Sequence, residues 1–404
     1  MTKPTSRVSR VLMTGPLAPF ADDYRRGLAD RGYTSRTAEH QLRQVGRLSV
    51  WLVSNGVTVA QLCQRHVEDF LVFQRSVGRH RATWSRPGLM CLVQVLEAQG
   101  ALSASEPARA LTPTEVVLDA FEHYLLTERG LAAGTVRGYV GHAHRFLDGL
   151  GEAGLARVGP SAVTEAVLRE SQAVSVSATK YFLSGLRAFL RFGFVEGLVD
   201  ANLTGAALAV TGRRRSSLPR GISASDARAL LESCDRRTAL GRRDYALLIT
   251  LLRLGLRASE TARLQLNDVD WRSGEIIVRG KGGRADRLPL PTEVGEALAA
   301  YLRRGRPRSE RRELFLTAKA PFNPIASGTV ASSVRRACGR AGIEEVGPHR
   351  LRHTVACELI AAHVPLVEIA QVLRHKSLQS TALYARVDTE ALRLVAAPWP
   401  GGVR

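Results

Sequence analysis

A chain of 404 residues with 45% hydrophobic content is long enough for two or three domains with substantial cores, and it is not disordered as a whole. Its 57 Lys and Arg against 37 Asp and Glu leave a formal charge of +20. That excess favours a polyanionic partner, because each phosphate neutralised releases condensed counterions. Arginine far outnumbers lysine, and its planar fork suits bidentate phosphate contacts. Charge alone does not separate DNA from RNA, or a binder from an enzyme. The five cysteines (Cys63, Cys91, Cys234, Cys338, Cys357) are scattered, odd in number and lack a CxxC pair, which speaks against a disulfide framework or zinc knuckle and for reduced thiols in the cytoplasm.

Residues 1–18 lack the continuous apolar run of a signal peptide and read as an N-terminal tail. The stretch "RGYTSRTAEHQLRQVGRLSVWL" (31–52) then lies over "RGLAAGTVRGYVGHAHRFLDGL" (129–150) at an offset of 98. Arg31/Arg129, Gly32/Gly130, Thr37/Thr135, Arg47/Arg145 and Leu52/Leu150 match. Both copies have helical periodicity with few β-branched runs, so two related helical units are expected at 19–104 and 112–205. The alternative is two amphipathic stretches alike by chance.

Residues 206–221 form a linker by composition, rich in Gly, Pro, Ser and arginine, with Arg213, Arg214 and Arg215 in a row. Helical pattern follows in "DYALLITLLRLG" and "ASETARLQL", and the most apolar part of it is interrupted by Arg253 and far too short to span a bilayer. In "LRLGLRASETARLQL" a helix ends near Gly255 and another begins after Arg257, one turn before Glu260, so the two can pair. An ordinary helix salt bridge explains that segment equally well. The alternating run "GEIIVRGKGGRADRLPL" predicts two short strands around Gly-Lys-Gly-Gly. Lys281 at such a tip projects freely; no Ser or Thr follows it as a P-loop requires. In "VGPHRLRHTVA" (346–356), Pro348 suits the first position of a helix, which places His349, Arg352 and His353 on one face near its positive end. A zinc helix of the HExxH kind would need a glutamate where Arg350 stands, and two arginines disfavour a cation. A phosphate site or a solvated basic face remains. In "VLRHKSLQSTALYARVD", His375 and Tyr384 follow on an amphipathic pattern, and residues 391–404 read as a loose tail.

Taken together and in order, "GLRASE", "GKGGR" with "RLPL", "HRLRH" and "LRHKSLQSTALYARV" resemble the tyrosine recombinase (phage integrase) family across 222–390. "FEHYLLTERGLAAGTVRGYVGHAHRFLDGL" and "GLRAFLRFG" resemble the SAM-like core-binding domain of that family. The resemblance implies a mainly α, multidomain fold: one or two SAM-like helical domains, and an α-rich catalytic domain with a small β-sheet. It implies cleavage and rejoining of double-stranded DNA through a 3′-phosphotyrosine, by a homo-oligomer that is tetrameric on two DNA sites, with accessory or partner recombinases. A mobile-element role fits the additional helical unit 19–104. The cytoplasm, at the nucleoid, is the implied location, with no membrane partner, cofactor or metal.

By the same resemblance Tyr384 is the nucleophile, Arg257, Arg352, His349 and His375 stabilise charge on the phosphate, and Lys281 protonates the leaving 5′-oxygen. Glu260 orients Arg257, and His353 supports Arg352. Lys180, Arg187, Arg213, Arg214, Arg215, Arg284, Arg287 and Arg374 are candidate DNA contacts. Where the family commonly has Leu-Gly-His, this chain has Leu373-Arg374-His375. Arginine there predicts a different turn from the left-handed one glycine permits, and adds a phosphate contact. The unit 19–104, with "GRHRATWSRP" (78–87), is expected either to add DNA contacts or to join protomers. A type IB topoisomerase-like relaxing enzyme and a catalytically idle DNA-binding module are the alternatives.

Overall fold

In the computed structural model, residues 13–78, 86–102, 112–151, 154–210, 221–280 and 284–374 are described. They form two compact units: one of residues 112–210, and one in which residues 13–102 join 221–374.

The first helices of the larger unit are α1 (Ala21–Asp30), α2 (Ser35–Ser54), α3 (Gln64–Ser76) and α4 (Arg86–Ala98). Thr34 caps α2, its hydroxyl accepting from the Thr37 N–H at 3.3 Å. The apolar stripes of these helices bury Tyr24, Leu28, Leu42, Leu48, Phe70 and Leu92 in a core of their own. Ala320 of the later chain packs onto that core, and the Phe322 ring lies so close to Gly32 that a side chain at Gly32 would collide with it. These contacts explain why 13–102 belong with 221–374.

The smaller unit has α5 (Pro113–Thr127), α6 (Ala133–Asp148), α7 (Pro160–Ala173) and α8 (Val176–Val195). A capping box starts α5: Thr112 Oγ1 accepts from the Glu115 N–H at 3.2 Å, and Glu115 accepts from the Thr112 N–H at 2.8 Å. Phe121 packs against Phe189 and Phe192 with ring centres 5.1 and 5.3 Å apart. The helix order matches that of the first four helices, with a short 3-10 turn between the second and third in each, at Val59–Gln61 and Leu155–Arg157. Helix α2 starts at residue 35 and α6 at 133, the same 98-residue offset as the sequence repeat.

Beyond the linker, α9 (Ala224–Glu232) leads to α10 (Ala239–Leu254), which is apolar on nearly all sides and buries residues 246–252 without a break. Gly255 ends it in the left-handed conformation, at φ 57°. After α11 (Ala258–Arg263) comes an antiparallel sheet of β1 (Val269–Asp270), β2 (Glu275–Arg279) and β3 (Ala285–Pro289), in that order. The register pairs Val269 with Ile276 and Ile276 with Leu288, so Ile276 and Val278 point into the core. The hairpin matches the expected one, and β1 is an additional strand too short for any alternation to announce it. The Gly280 N–H donates to the Arg284 carbonyl at 2.8 Å across the hairpin neck. Helices α12 (Thr292–Arg304), α13 (Ser327–Ala341), α14 (Pro348–Ala361) and α15 (Leu366–Val372) follow among the described residues, with α12 and α14 packed on α10. Among the described residues no helix is long and apolar enough to cross a membrane. All five cysteines are free, and Cys91, Cys234 and Cys338 are buried.

Candidate active site

Three chain segments meet where α10, α14 and α15 end or begin. Helix α14 opens at Pro348, whose missing N–H falls where a helix has no partner for it. One turn on, Arg352 is 1% exposed, among the most buried large side chains of the chain. Its Nη1 donates to the Gly255 carbonyl at 2.6 Å, and its Nη2 to the Leu373 carbonyl. A buried guanidinium is costly unless its donors are used, and here the C-terminal carbonyls of two helices use them.

Arg257 is the N-cap residue of α11, and Glu260 lies one turn later. The Glu260 carboxylate accepts from the Arg257 backbone N–H at 2.9 Å and from Arg257 Nη1 at 2.5 Å. Arg257 Nη2 donates to the Arg374 carbonyl at 3.3 Å. The two arginines thus grip carbonyls of successive residues, 373 and 374. The Glu260 side chain is 4% exposed, while that of Arg257 is 41% exposed. Burial pushes the Glu260 carboxyl up, but the Arg257 N–H, the Arg374 charge and the Arg257 guanidinium outweigh it and hold it below its ordinary value. Glu260 is therefore an anion that fixes Arg257 from behind.

His349 and His353 sit on one face of α14 with ring centres 4.3 Å apart. Burial first, then the charges of Arg352 and Arg257, push His349 below the ordinary histidine value. Burial, His349, Arg352 and Arg350 push His353 down to about 4. Both rings are neutral at pH 7, so His349 can accept a proton beside the two guanidinium groups. The unfolded chain protonates His353 near 6.5, the folded one only near 4. Stability is therefore lost as pH falls through that window. His353→Gln is expected to show a smaller drop in thermal midpoint between pH 7 and 4.5 than wild type; equal drops would remove His353 as a source. His142, buried in the smaller unit and also lowered to about 4, contributes with the same sign in both proteins.

Arg374 departs from its sequence expectation. It takes φ 53°, so the left-handed turn persists without glycine. The expectation of a different turn is corrected: helix α15 ends with an Arg374 N–H to Gln371 carbonyl bond of 2.9 Å, and side-chain contacts hold the arginine in that geometry. Its guanidinium does not face solvent as a phosphate contact would. It pairs with Glu260 at 2.9 Å and is 5% exposed.

The remaining candidates are spread more widely. Arg284 and Arg287 flank the hairpin, 79% and 70% exposed, each within reach of an acid, Asp286 at 3.7 Å and Glu275 at 3.2 Å. Lys180 is exposed on α8, whereas Arg187 donates to the Ala207 carbonyl at 2.6 Å. Lys281, His375, Tyr384, Arg213, Arg214 and Arg215 lie outside the described residues. The sequence reading missed the backbone acceptors of the site. Gly255 carried a signal, as a glycine closing an apolar helix; the carbonyls of Leu373 and Arg374 carried none.

Residues 220–391 match the model of the phage integrase family, and 118–197 that of the phage integrase N-terminal SAM-like domain. The chain is 36% identical over 397 residues to y4rA of Sinorhizobium fredii strain NGR234, a candidate integrase/recombinase, covering 96% of this chain and 95% of that protein. It is 32% identical to the tyrosine recombinase XerD of Mycobacterium tuberculosis H37Rv, covering 70% of this chain and 96% of the relative. The fold is similar to that of XerH recombinase in a post-cleavage complex with its palindromic difH substrate, at TM-score 0.53 and 18% identity over 82% of this chain and 94% of that one. It is also similar to that of lambda integrase, solved as a tetramer on a Holliday junction, at TM-score 0.52 and 18% identity over 81% and 91%.

Proposed function

Since the chain belongs to the phage integrase family of tyrosine recombinases, a family of site-specific recombinases, we propose that it breaks and rejoins double-stranded DNA at the site built around Arg257, His349 and Arg352. The observation that carries this assignment of the site is the convergence of Arg257 and Arg352 on consecutive carbonyls, with a neutral histidine beside both.

The Tyr384 phenol oxygen attacks a backbone phosphorus. The new bond is the phosphotyrosine, and the bond that breaks is phosphorus to the 5′-oxygen. The phenol proton passes to His349, and Lys281 supplies a proton to the departing oxygen. Charge that grows on the non-bridging oxygens meets the forks of Arg257 and Arg352, with His375 as a further donor. A 5′-hydroxyl of the partner strand then reverses the steps, and the ester bond energy carries through without a nucleotide cofactor. His353 supports Arg352 from the same helix face. DNA lies against the SAM-like and catalytic domains, with the arginine linker, Lys180, Arg284 and Arg287 on its phosphates. Four protomers assemble on two sites, as lambda integrase does on a Holliday junction. A mobile element is the proposed source of those sites, in keeping with the integrase/recombinase name of y4rA.

The test is a nicked suicide substrate carrying the ends of the element in which the coding region lies. Denaturation after incubation is expected to leave covalent protein–DNA product. Absence of product would favour an idle DNA binder, and relaxation of any supercoiled plasmid by a monomer would favour a topoisomerase. Lys281→Ala is expected to slow cleavage about 10²- to 10⁴-fold on ordinary DNA, the range of general acid catalysis. A 5′-bridging sulfur leaves without a proton and is expected to restore the rate. Slow cleavage of the sulfur substrate would remove Lys281 as the acid.

A further inference from the structure

The residue just beyond the cap of α15 touches the proposed site in two ways. Arg374 offers its carbonyl to Arg257 Nη2 at 3.3 Å, and its own Nη2 donates to Glu260 Oε2 at 2.9 Å. Glu260 Oε1 takes the Arg257 guanidinium, and Oε2 takes the Arg257 backbone N–H. Both carboxylate oxygens are thereby committed. A free carboxylate beside an arginine tends to take its fork through two parallel bonds. With Oε2 shared by Arg374, Glu260 holds the Arg257 side chain by one edge, and the rest of that 41% exposed side chain stays available. Arg374 Nη1 is tied to the Val372 carbonyl at 3.0 Å, so the wedge is itself anchored. The arginine accepts a left-handed backbone that ordinary side chains avoid, φ 53°, in order to sit there. Its Nε is buried with no partner among the described residues. An arginine selected for the turn alone would have no reason to bury its charge.

We infer that Arg374 is a positioning residue for Arg257: it occupies one oxygen of Glu260 and, through its carbonyl, one edge of Arg257, so that the fork of Arg257 is presented to the scissile phosphate. This rests on the reading of Arg257 as a phosphate ligand. Arg374 acts through Arg257 and Glu260 and does not touch the phosphate itself. Because the contact is made by the residue directly before His375, it ties the placement of Arg257 to the chain segment that carries the remaining catalytic candidates.

The experiment compares Arg374→Gly, Arg374→Asn and Arg374→Lys with wild type, using single-turnover cleavage of the suicide substrate at rising DNA concentration, together with thermal midpoints. Gly and Asn both suit a left-handed residue, which offsets part of the lost ion pair, so at least one is expected to fold cooperatively with a midpoint no more than roughly a few degrees below that of wild type. Both are expected to cleave about 10-fold more slowly at saturating DNA, with the half-saturating concentration changed less than about twofold, since a misplaced group costs rate more than binding. Lysine restores the charge and not the fork, and is expected to recover only part of the rate. In a Glu260→Gln background the same Arg374 replacements are expected to change the rate by less than about threefold, because the shared carboxylate is gone. A wild-type rate in Arg374→Gly, a loss of binding in place of rate, or a full 10-fold effect in the Glu260→Gln background would each overturn the inference. If wild type forms no covalent product, the site assignment itself fails; if wild type and Arg374→Gly form it equally fast, only the role of Arg374 does.

Discussion

Tyr384→Phe is expected to yield no covalent protein–DNA product on a nicked suicide substrate, under conditions in which wild type is expected to accumulate it. The substitution removes a single oxygen, and that oxygen is the atom proposed to bond to phosphorus. The loss is of the step itself, about 10⁴-fold or more, because no neighbouring hydroxyl replaces a missing nucleophile in a preorganised site. Affinity for DNA is expected to come from phosphate contacts elsewhere and from the +20 net charge, so a mobility-shift titration is expected to change less than about threefold. Gel analysis of the denatured reaction reads the first quantity, and the titration the second. A product that survives Tyr384→Phe would transfer the role to another residue.

Arg352→Ala is the second large effect, and it strikes twice. The guanidinium is 1% exposed and serves the carbonyls of Gly255 and Leu373, so truncation strands two buried acceptors and leaves a void. The expected loss of stability is about 2–5 kcal/mol. The rate of covalent product formation is expected to fall about 10³-fold, as for loss of a charge-stabilising donor in other phosphoryl-transfer sites. Arg257→Ala separates the two effects. Its side chain is 41% exposed, and Glu260 keeps both Arg374 and the backbone N–H as partners. Stability is expected to change by less than about 1 kcal/mol, with cleavage reduced as strongly as in Arg352→Ala. Thermal unfolding together with single-turnover cleavage checks the pair. Equal destabilisation by both substitutions would contradict the contrast in burial.

Local spacing made much of this arrangement legible. The three-residue step from Arg257 to Glu260, the proline opening α14 and the glycine closing α10 each act within one or two helical turns, where sequence and geometry are nearly equivalent. The four-residue step that sets the His349 ring edge-on to that of His353 is of the same kind. What stayed hidden depends on distant chain or on backbone atoms. The acceptors of Arg352 lie 97 and 21 residues away and are carbonyls, which every residue type carries alike. The left-handed turn at Arg374 ran against propensity, because an ion pair with a residue 114 positions distant outweighs the preference for glycine. Strand β1 has two residues, too few for a period. The packing of residues 13–102 with 221–374 rests on single contacts such as Phe322 on Gly32, which no helical pattern encodes.

The glycine that closes α10 bears on how tolerance to change is interpreted in such a protein. Gly255 has a backbone sign that disfavours L-side chains, a Leu373 methyl 2.9 Å from where a Cβ would stand, and the oxygen that steadies Arg352. A catalogue of damaging substitutions would rank it with the groups that meet the nucleic acid, though its only chemistry is to hold up a neighbour. Intolerance at this corner of the molecule therefore measures the cost of building the cradle as much as the use made of it.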